Sequence, residues 1–370
     1  MRRRFSLVIA ALLSFSLIAA ACGDDGGNTN AATPTTAADI TAAWIYIGQP
    51  GDAGWTFAHD QGRLAAEAAT GATTLTVENI AEGSPEFEQS VRDLISQGTN
   101  IIFATSFGYM DDMERLAGEF PDVKFIHATG FKSNDTNFTN YFGKVYQPRY
   151  LSGMIAGAAT TTNTIGYVAA FPIPEVIRGI NAFTLGVKAV NFDAKVQVNW
   201  TSTWFDPAVE GSAANALLEA GADVIAMHQD STAAGEAAEK AGARWVSYNS
   251  DMSAFAPNAY LTSAVWDWGP YYTSVIEDVA AGTWTPAPYW GGMEDGIVKL
   301  GSIASDVDPA LVTEVTSLAD RMIAGNFNVF TGPINDQDGN EMVGAGVTMD
   351  DGALLGMDWF VQGVEGSAAG

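Results

Sequence analysis

The chain carries one cysteine in 370 residues, at position 22. A lone thiol cannot close a disulfide within the chain, so no covalent staple is available to the fold. Basic residues are also scarce: 17 Lys and Arg stand against 43 Asp and Glu, for a formal charge of −26. Such a surface repels phosphate backbones and argues against nucleic acid as a partner. There are three histidines, His59, His127 and His228, and no two of them stand at a metal-pair spacing. A Gly-x-Ser-x-Gly elbow and a Gly-x-x-x-x-Gly-Lys-Ser/Thr phosphate loop are both missing. His59 and Asp60 are neighbours on an expected helix and point about 100° apart, which is poor geometry for an acid–base pair. An enzyme is therefore not expected, nor a metal or a cofactor. Beyond residue 21 no run of 18 uninterrupted apolar residues occurs, so no membrane span is expected there.

The N-terminus explains the single cysteine. Arg2, Arg3 and Arg4 precede an apolar stretch from Phe5 to Ile18, and Ala19, Ala20 and Ala21 then lead into Cys22. Residues 1–21 thus read as a secretory signal peptide. A thiol directly after the small residues resembles a bacterial lipobox, in which that cysteine is acylated and becomes the new N-terminus. Residues 22–39 contain no aromatic or branched aliphatic side chain and read as a flexible linker, because they cannot bury enough apolar surface to offset chain entropy. The expectation is an exported protein, lipid-anchored through Cys22 to the outer face of the cell membrane. Loss of the leader would take the formal charge from −26 to −29.

With 47% apolar and 16% charged residues the remainder has ample core, and its length favours two domains. Strands and helices alternate. Ala42–Ile47, Thr73–Val77, Ile101–Thr105 and Val123–His127 read as strands. Phe57–Ala69, Pro85–Ser96 (with Ser84 as its cap) and Met110–Phe120 read as the helices between them. The pattern restarts with strands at Ile165–Ala169, Lys195–Trp200, Asp223–Met227, Arg244–Tyr248 and Ala259–Val265. Helices at Pro174–Val190, Pro207–Ala220, Ala233–Ala241 and Pro270–Ala281 accompany them. Repeated strand–helix–strand units imply an α/β protein of two doubly wound parallel-sheet lobes, with ligand bound beyond the carboxyl ends of the strands.

The loops at those strand ends supply the candidate site: Gly51 to Trp55, then Phe107 and Tyr109, then Trp204 to Pro207, Asp230 and Asn249. Aromatic rings recur there beside a few amides, carboxylates and hydroxyls, as suits a flat ring with a polar edge. Asp206 reads as the N-cap of the following helix, and Asp230 as either a ligand acceptor or an N-cap. Arg149 is placed near a lobe crossing, where it would contact the ligand, meet a cleft carboxylate or hold the lobes together. Trp266 and Trp268 share one side of an extended segment by the period of two.

Several segments together resemble the basic membrane protein (BMP) family of substrate-binding lipoproteins, which deliver purine nucleosides or related ligands to ABC importers. They are Gly51-Asp52-Ala53-Gly54-Trp55 with Gly62, Phe125-Ile126-His127, and Arg149-Tyr150-Leu151-Ser152-Gly153-Met154-Ile155-Ala156-Gly157. Ile165-Gly166-Tyr167-Val168, Trp204-Phe205-Asp206-Pro207, Gly221-Ala222-Asp223-Val224-Ile225 and Leu261-Thr262-Ser263 complete the set. The resemblance implies the type I periplasmic-binding-protein fold, with two lobes joined by three hinge crossings. Lobe I would be 40–162 with 266–295, lobe II 163–265 with 296–335, and 336–370 would pack on the lobes. It implies a permease partner, a small-molecule ligand and a monomer. The two phenylalanines that sandwich the base in family nucleoside binders correspond to Trp55 and Trp204. The polar set changes: the family Asn after the first aromatic is Thr56, one Asp is Thr129, and the ribose-holding Asp and Lys become Asn249 and Trp266. Asp230 is an added carboxylate. These replacements favour a free purine base, adenine-like, over an intact nucleoside. A ligand-sensing co-receptor of a signalling protein, or the same fold with another flat heterocycle such as riboflavin, is the alternative.

Overall fold

The computed structural model describes residues 36–370, so the leader and Cys22 lie outside the described residues. The expected linker ends earlier than residue 39. Thr36 and Asp39 cap a single 3-10 turn at Ala37–Asp39, and Ala37 packs against the core.

The first half alternates β1 (Thr41–Ile45), α1 (Trp55–Thr70), β2 (Thr73–Val77), α2 (Pro85–Ser96), β3 (Ile101–Ala104), α3 (Met110–Glu119), β4 (Lys124–Ala128) and β5 (Phe138–Gly143). After α4 (Tyr146–Ala159) come β6 (Thr164–Ala169), α5 (Pro174–Val190), β7 (Lys195–Trp200), α6 (Pro207–Glu219), β8 (Val224–His228), α7 (Ala233–Ala241), β9 (Arg244–Asn249) and β10 (Tyr260–Trp266). The chain continues through α8 (Gly269–Ala281), β11 (Tyr289–Gly291), β12 (Val298–Leu300), α9 (Pro309–Ile323), β13 (Ile334–Asn335), β14 (Glu341–Val343), α10 (Asp351–Leu355) and β15 (Val364–Glu365).

Two sheets result. The first runs β11-β5-β4-β3-β1-β2 and is parallel throughout. The second runs β12-β10-β9-β8-β6-β7-β15, parallel except for β12. β3 and β8 are fully buried, as is β4 beyond Lys124, and their sequences are nearly continuous apolar runs, as double-sided cover by helices requires. In both sheets the first strand of the unit lies between the second and third, so each has a switch point at the carboxyl ends of those strands. Asp206 caps α6 as expected, accepting from the amides of Ala208 and Val209. Ser84 precedes α2 but its hydroxyl makes no capping bond.

The chain passes between sheets three times: between β5 and α4, between β10 and α8, and between β11 and β12. The boundary expected at residue 162 is displaced by this arrangement. α4 packs against α5, β10 and α9 of the second lobe, so the first crossing lies at Lys144–Val145. The cause is a close helix pair. A Cβ on Gly153 would collide with the carbonyl oxygen of Phe183, and one on Gly186 with that of Tyr150. The two helices approach backbone to backbone, which only glycine permits there. The C-terminal segment likewise joins the second lobe: β15 extends its sheet beside β7, and Asn181 and Arg178 on α5 bond the carbonyls of Trp359 and Leu354.

Gly186→Val should therefore force α4 and α5 apart and cost roughly 1–3 kcal/mol, the usual penalty of overpacking. Denaturant unfolding followed by tryptophan fluorescence will report it. A midpoint unchanged from wild type would contradict the backbone-to-backbone contact.

Candidate functional site

Both switch points face one narrow cavity. From the first lobe it is walled by Trp55, at the first turn of α1, by Ser106 and Phe107 after β3, and by Thr129 after β4. The second lobe contributes Trp204 after β7, His228 and Asp230 at the end of β8, Tyr248 on β9 and Glu175 on α5. The lobes touch across it. The Ser250 hydroxyl donates to the Ala53 carbonyl at 2.5 Å, and Gly54 lies so near the Asp230 backbone that a Cβ would overlap it.

Trp55 is held rigidly. Its Nε1 donates to the Thr105 carbonyl at 2.6 Å. His59, Trp268 and Trp266 form a stack, with centroid spacings of 4.8 and 4.6 Å, and each ring of that stack stands nearly perpendicular to Trp55. His59 also bonds the Tyr272 hydroxyl at 2.6 Å, which places it in the core and away from any acid–base role with Asp60. Asp60 instead accepts from Arg63 and the Tyr46 hydroxyl. Asp52 caps the turn into α1, accepting from the amides of Gly54, Thr56 and Phe57. On the opposite wall Trp204 meets Phe171 edge-on at 5.0 Å.

The acids are perturbed by burial. Asp230 is 6% exposed, and its carboxyl is pushed well above the usual range by burial and by the neighbouring charges of Asp52 and Glu210. Asn249 Nδ2 donates to Asp230 Oδ1 at 2.8 Å and offsets part of this. Because α7 is preceded by Thr232, Asp230 is not its N-cap and is left facing the cavity. Burial also raises Glu175 to about 7, against the opposing pull of Arg178. The Thr129 hydroxyl is buried with no hydrogen-bond partner among the described residues. Thr129 and Asn249 adopt φ of 62° and 70°, a left-handed conformation uncommon for non-glycine residues and costly for a β-branched one.

Of the eight expected ligand contacts, the structure brings Trp55, Trp204, Phe107 and Asp230 to the cavity. Four are placed elsewhere. Tyr109 is fully buried, stacked on Phe87 at 4.4 Å with its hydroxyl on the Ile80 carbonyl, because the 3-10 turn at Phe107–Tyr109 points it beneath α2. Asn249 sits behind Asp230 as its support. Arg149 is buried in the second lobe with α4, over the Tyr248 ring at 3.9 Å. Trp266 braces Trp55 and donates to the Tyr248 hydroxyl at 3.2 Å. It stacks on Trp268, on the side they were expected to share. Glu175, His228 and Tyr248 were not expected as wall residues. His228 stood in a strand-end loop and could have been read; Glu175, on the first turn of a helix, carried no such signal.

Residues 40–328 match the family described as Bmp, "ABC transporter substrate-binding protein PnrA-like". The chain belongs to this family. Among curated relatives, a purine-binding protein of Brucella abortus is 43% identical over 332 residues, 88% of this chain and 93% of the relative. TsgA13 of Haloferax volcanii, named provisionally an ABC transporter glucose-binding protein, is 38% identical over 92% of this chain and 84% of its own length. A solute-binding protein of an ABC transporter from Conexibacter woesei shares the fold with a TM-score of 0.65 at 23% identity, covering 78% of this chain and 98% of that one. This Bmp protein is thus an α/β periplasmic-binding-type receptor and not an enzyme. As an ABC substrate-binding protein it works outside the cytoplasm, with a small-molecule ligand and a permease.

The Glu175 shift has a measurable sign. A carboxyl whose folded pKa lies above its unfolded value of about 4.5 favours folding least when ionised, so its contribution declines as pH rises from 4.5 through about 7. Glu175→Gln removes that decline. The variant should gain on wild type across this window by on the order of 2–3 kcal/mol, read from denaturant midpoints at pH 4.5 and 8. Parallel profiles for the two proteins would place the Glu175 titration elsewhere.

Proposed function

We propose that this Bmp protein is the lipid-anchored receptor of an importer for a purine base, adenine-like, held between Trp55 and Trp204. The observation that carries this reading is a cavity with one indole from each lobe, a buried carboxyl beside them and no Lys or Arg among its lining residues. The indoles suit a flat ring, each stacking contact contributing roughly 1–3 kcal/mol. A wall that holds Asp230 and Glu175 without a lining cation disfavours phosphate, so nucleotides are rejected.

The state of Asp230 refines the ligand. Held toward the neutral acid, it presents an O–H donor and a carbonyl acceptor side by side. The amidine edge of adenine offers the complement, an acceptor nitrogen next to an N–H donor. The ribose-gripping pair is replaced by Asn249, which supports Asp230, and Trp266, which supports Trp55, so neither reaches the ligand. That agrees with a base in preference to a nucleoside, and with the purine-binding relative in Brucella. Because only the closed form places contacts on both sides of the ring, ligand stabilises closure, and the closed shape engages the permease. Cys22, outside the described residues, supplies the acylated anchor that keeps the receptor at the outer face of the membrane.

Thermal shift and calorimetry on the soluble body will test this with adenine, hypoxanthine, adenosine, AMP, riboflavin and glucose. Adenine should give the largest shift and AMP none. A response to glucose alone would replace the purine reading with that of the Haloferax relative's name. Trp204→Ala should weaken adenine about tenfold to a hundredfold. Asp230→Asn, which keeps one donor and one acceptor, should retain binding within about tenfold, whereas Asp230→Leu should abolish it. Equal losses in both variants would mean that a carboxylate charge is required.

A further inference from the structure

Arg149 is a buried guanidinium without a carboxylate partner. One terminal nitrogen, Nη1, donates to the Met227 carbonyl at 2.7 Å, and the guanidinium carbon lies 3.9 Å from the centroid of Tyr248. Its other edge, Nε and Nη2, has no acceptor among the described residues. Nδ1 of His228, 3% exposed, is likewise unpartnered. Both look onto one gap. A Cβ built on Gly179 of α5 finds His228 Nδ1 at 3.7 Å and Arg149 Nε at 3.9 Å, and nothing nearer outside its own helix backbone. The two groups come from α4 and the end of β8, and the gap exists because α5 has a glycine there.

A guanidinium has donors only and stays protonated. Its N–H groups therefore face a gap shared with an imidazole nitrogen that, to be satisfied directly or through one water, must offer a lone pair. The positive charge of the guanidinium also disfavours a proton on the nearer ring nitrogen, and burial together with Arg149 and Arg178 keeps the ring neutral. The proton of a neutral imidazole then belongs to Nε2. That nitrogen is 4.0 Å from Glu175 Oε1, and both residues wall the ligand cavity.

We infer that Arg149 is a positioning residue that fixes the His228 tautomer, so that His228 presents an Nε2–H donor to an acceptor atom on the ligand. Resting on the purine reading, this narrows the ligand class. The base must offer a ring-nitrogen acceptor to His228 in addition to the paired donor and acceptor met by Asp230. His228 thus discriminates among flat heterocycles that would stack equally well between the indoles.

Two experiments separate this inference from the reading beneath it. First, ¹⁵N-histidine-labelled protein gives three imidazole spin systems, and the one lost in His228→Gln is assigned to His228. Long-range ¹H–¹⁵N correlation should show its proton on Nε2 in wild type and a shift toward Nδ1–H in Arg149→Met, which retains an unbranched apolar stem without the donors. A proton on Nδ1 in wild type, or no change in the folded Arg149→Met protein, overturns the inference without reference to any ligand. Second, adenine is compared with its 1-deaza, 3-deaza and 7-deaza analogues, which each lack one acceptor. One analogue should bind wild type at least tenfold more weakly than adenine and lose that penalty in His228→Leu. The penalty of the analogue that lacks the nitrogen facing Asp230 should survive in His228→Leu; uniform binding of all four compounds, or the absence of any analogue whose penalty His228→Leu removes, overturns it. If adenine itself fails to bind, the purine reading falls and the tautomer measurement still decides the role of Arg149.

Discussion

The architecture of the site depends on a stack of three rings, His59, Trp268 and Trp266, against which Trp55 stands at right angles. Edge-to-face and stacked aromatic contacts are directional, so the stack sets the plane of Trp55 as well as its depth. Its members come from different places: His59 from α1, Trp266 from the end of β10 and Trp268 from the start of α8. The last two flank the second passage between the lobes. The cavity-facing ring of Trp55 is therefore braced by residues at the second passage between the lobes.

The second lobe answers with buried polarity. Asp230 is held by Asn249, Glu210 by Ser231, and Trp266 reaches across to the Tyr248 hydroxyl that shares the same wall. Arg149 lies beneath, over Tyr248. Burying so many titratable groups is costly unless each finds a partner. Among the residues that line the cavity, Thr129 and His228 each carry an atom left without one.

Much of this was legible beforehand. The strands and helices expected from apolar runs and breaker residues are present and most of their ends agree within two residues, while β5, α4, β11 to β15, α9 and α10 had not been expected. The first crossing was not legible. Residues 146–159 form a helix of small and apolar residues that would satisfy either lobe, and the choice was made by Gly153 and Gly186 meeting carbonyls of the facing helix. Tyr109 illustrates the same limit at the site. Its position at a strand end is as good as that of Phe107, but the 3-10 turn directs one ring to the cleft and the other into the core.

The sequence by itself determined the α/β fold class and the two-lobe organisation, and it raised the expectations of an anchor at Cys22 and of Trp55 and Trp204 at the cleft. The fold class and the lobes follow from local periodicity and composition, which are properties of neighbouring residues, and the two expectations follow from resemblance. Only the tertiary structure decided which polar groups meet the cavity and which support those that do. Asn249 and Trp266 stood as ligand contacts by alignment with the family and Arg149 by its place near a crossing, and each lies behind the cavity wall. Glu175 and Tyr248 came forward from a helix and a strand. The reason is geometric: a strand end places a residue near the cleft, but the direction of its side chain depends on backbone twist and on what the opposite lobe already fills.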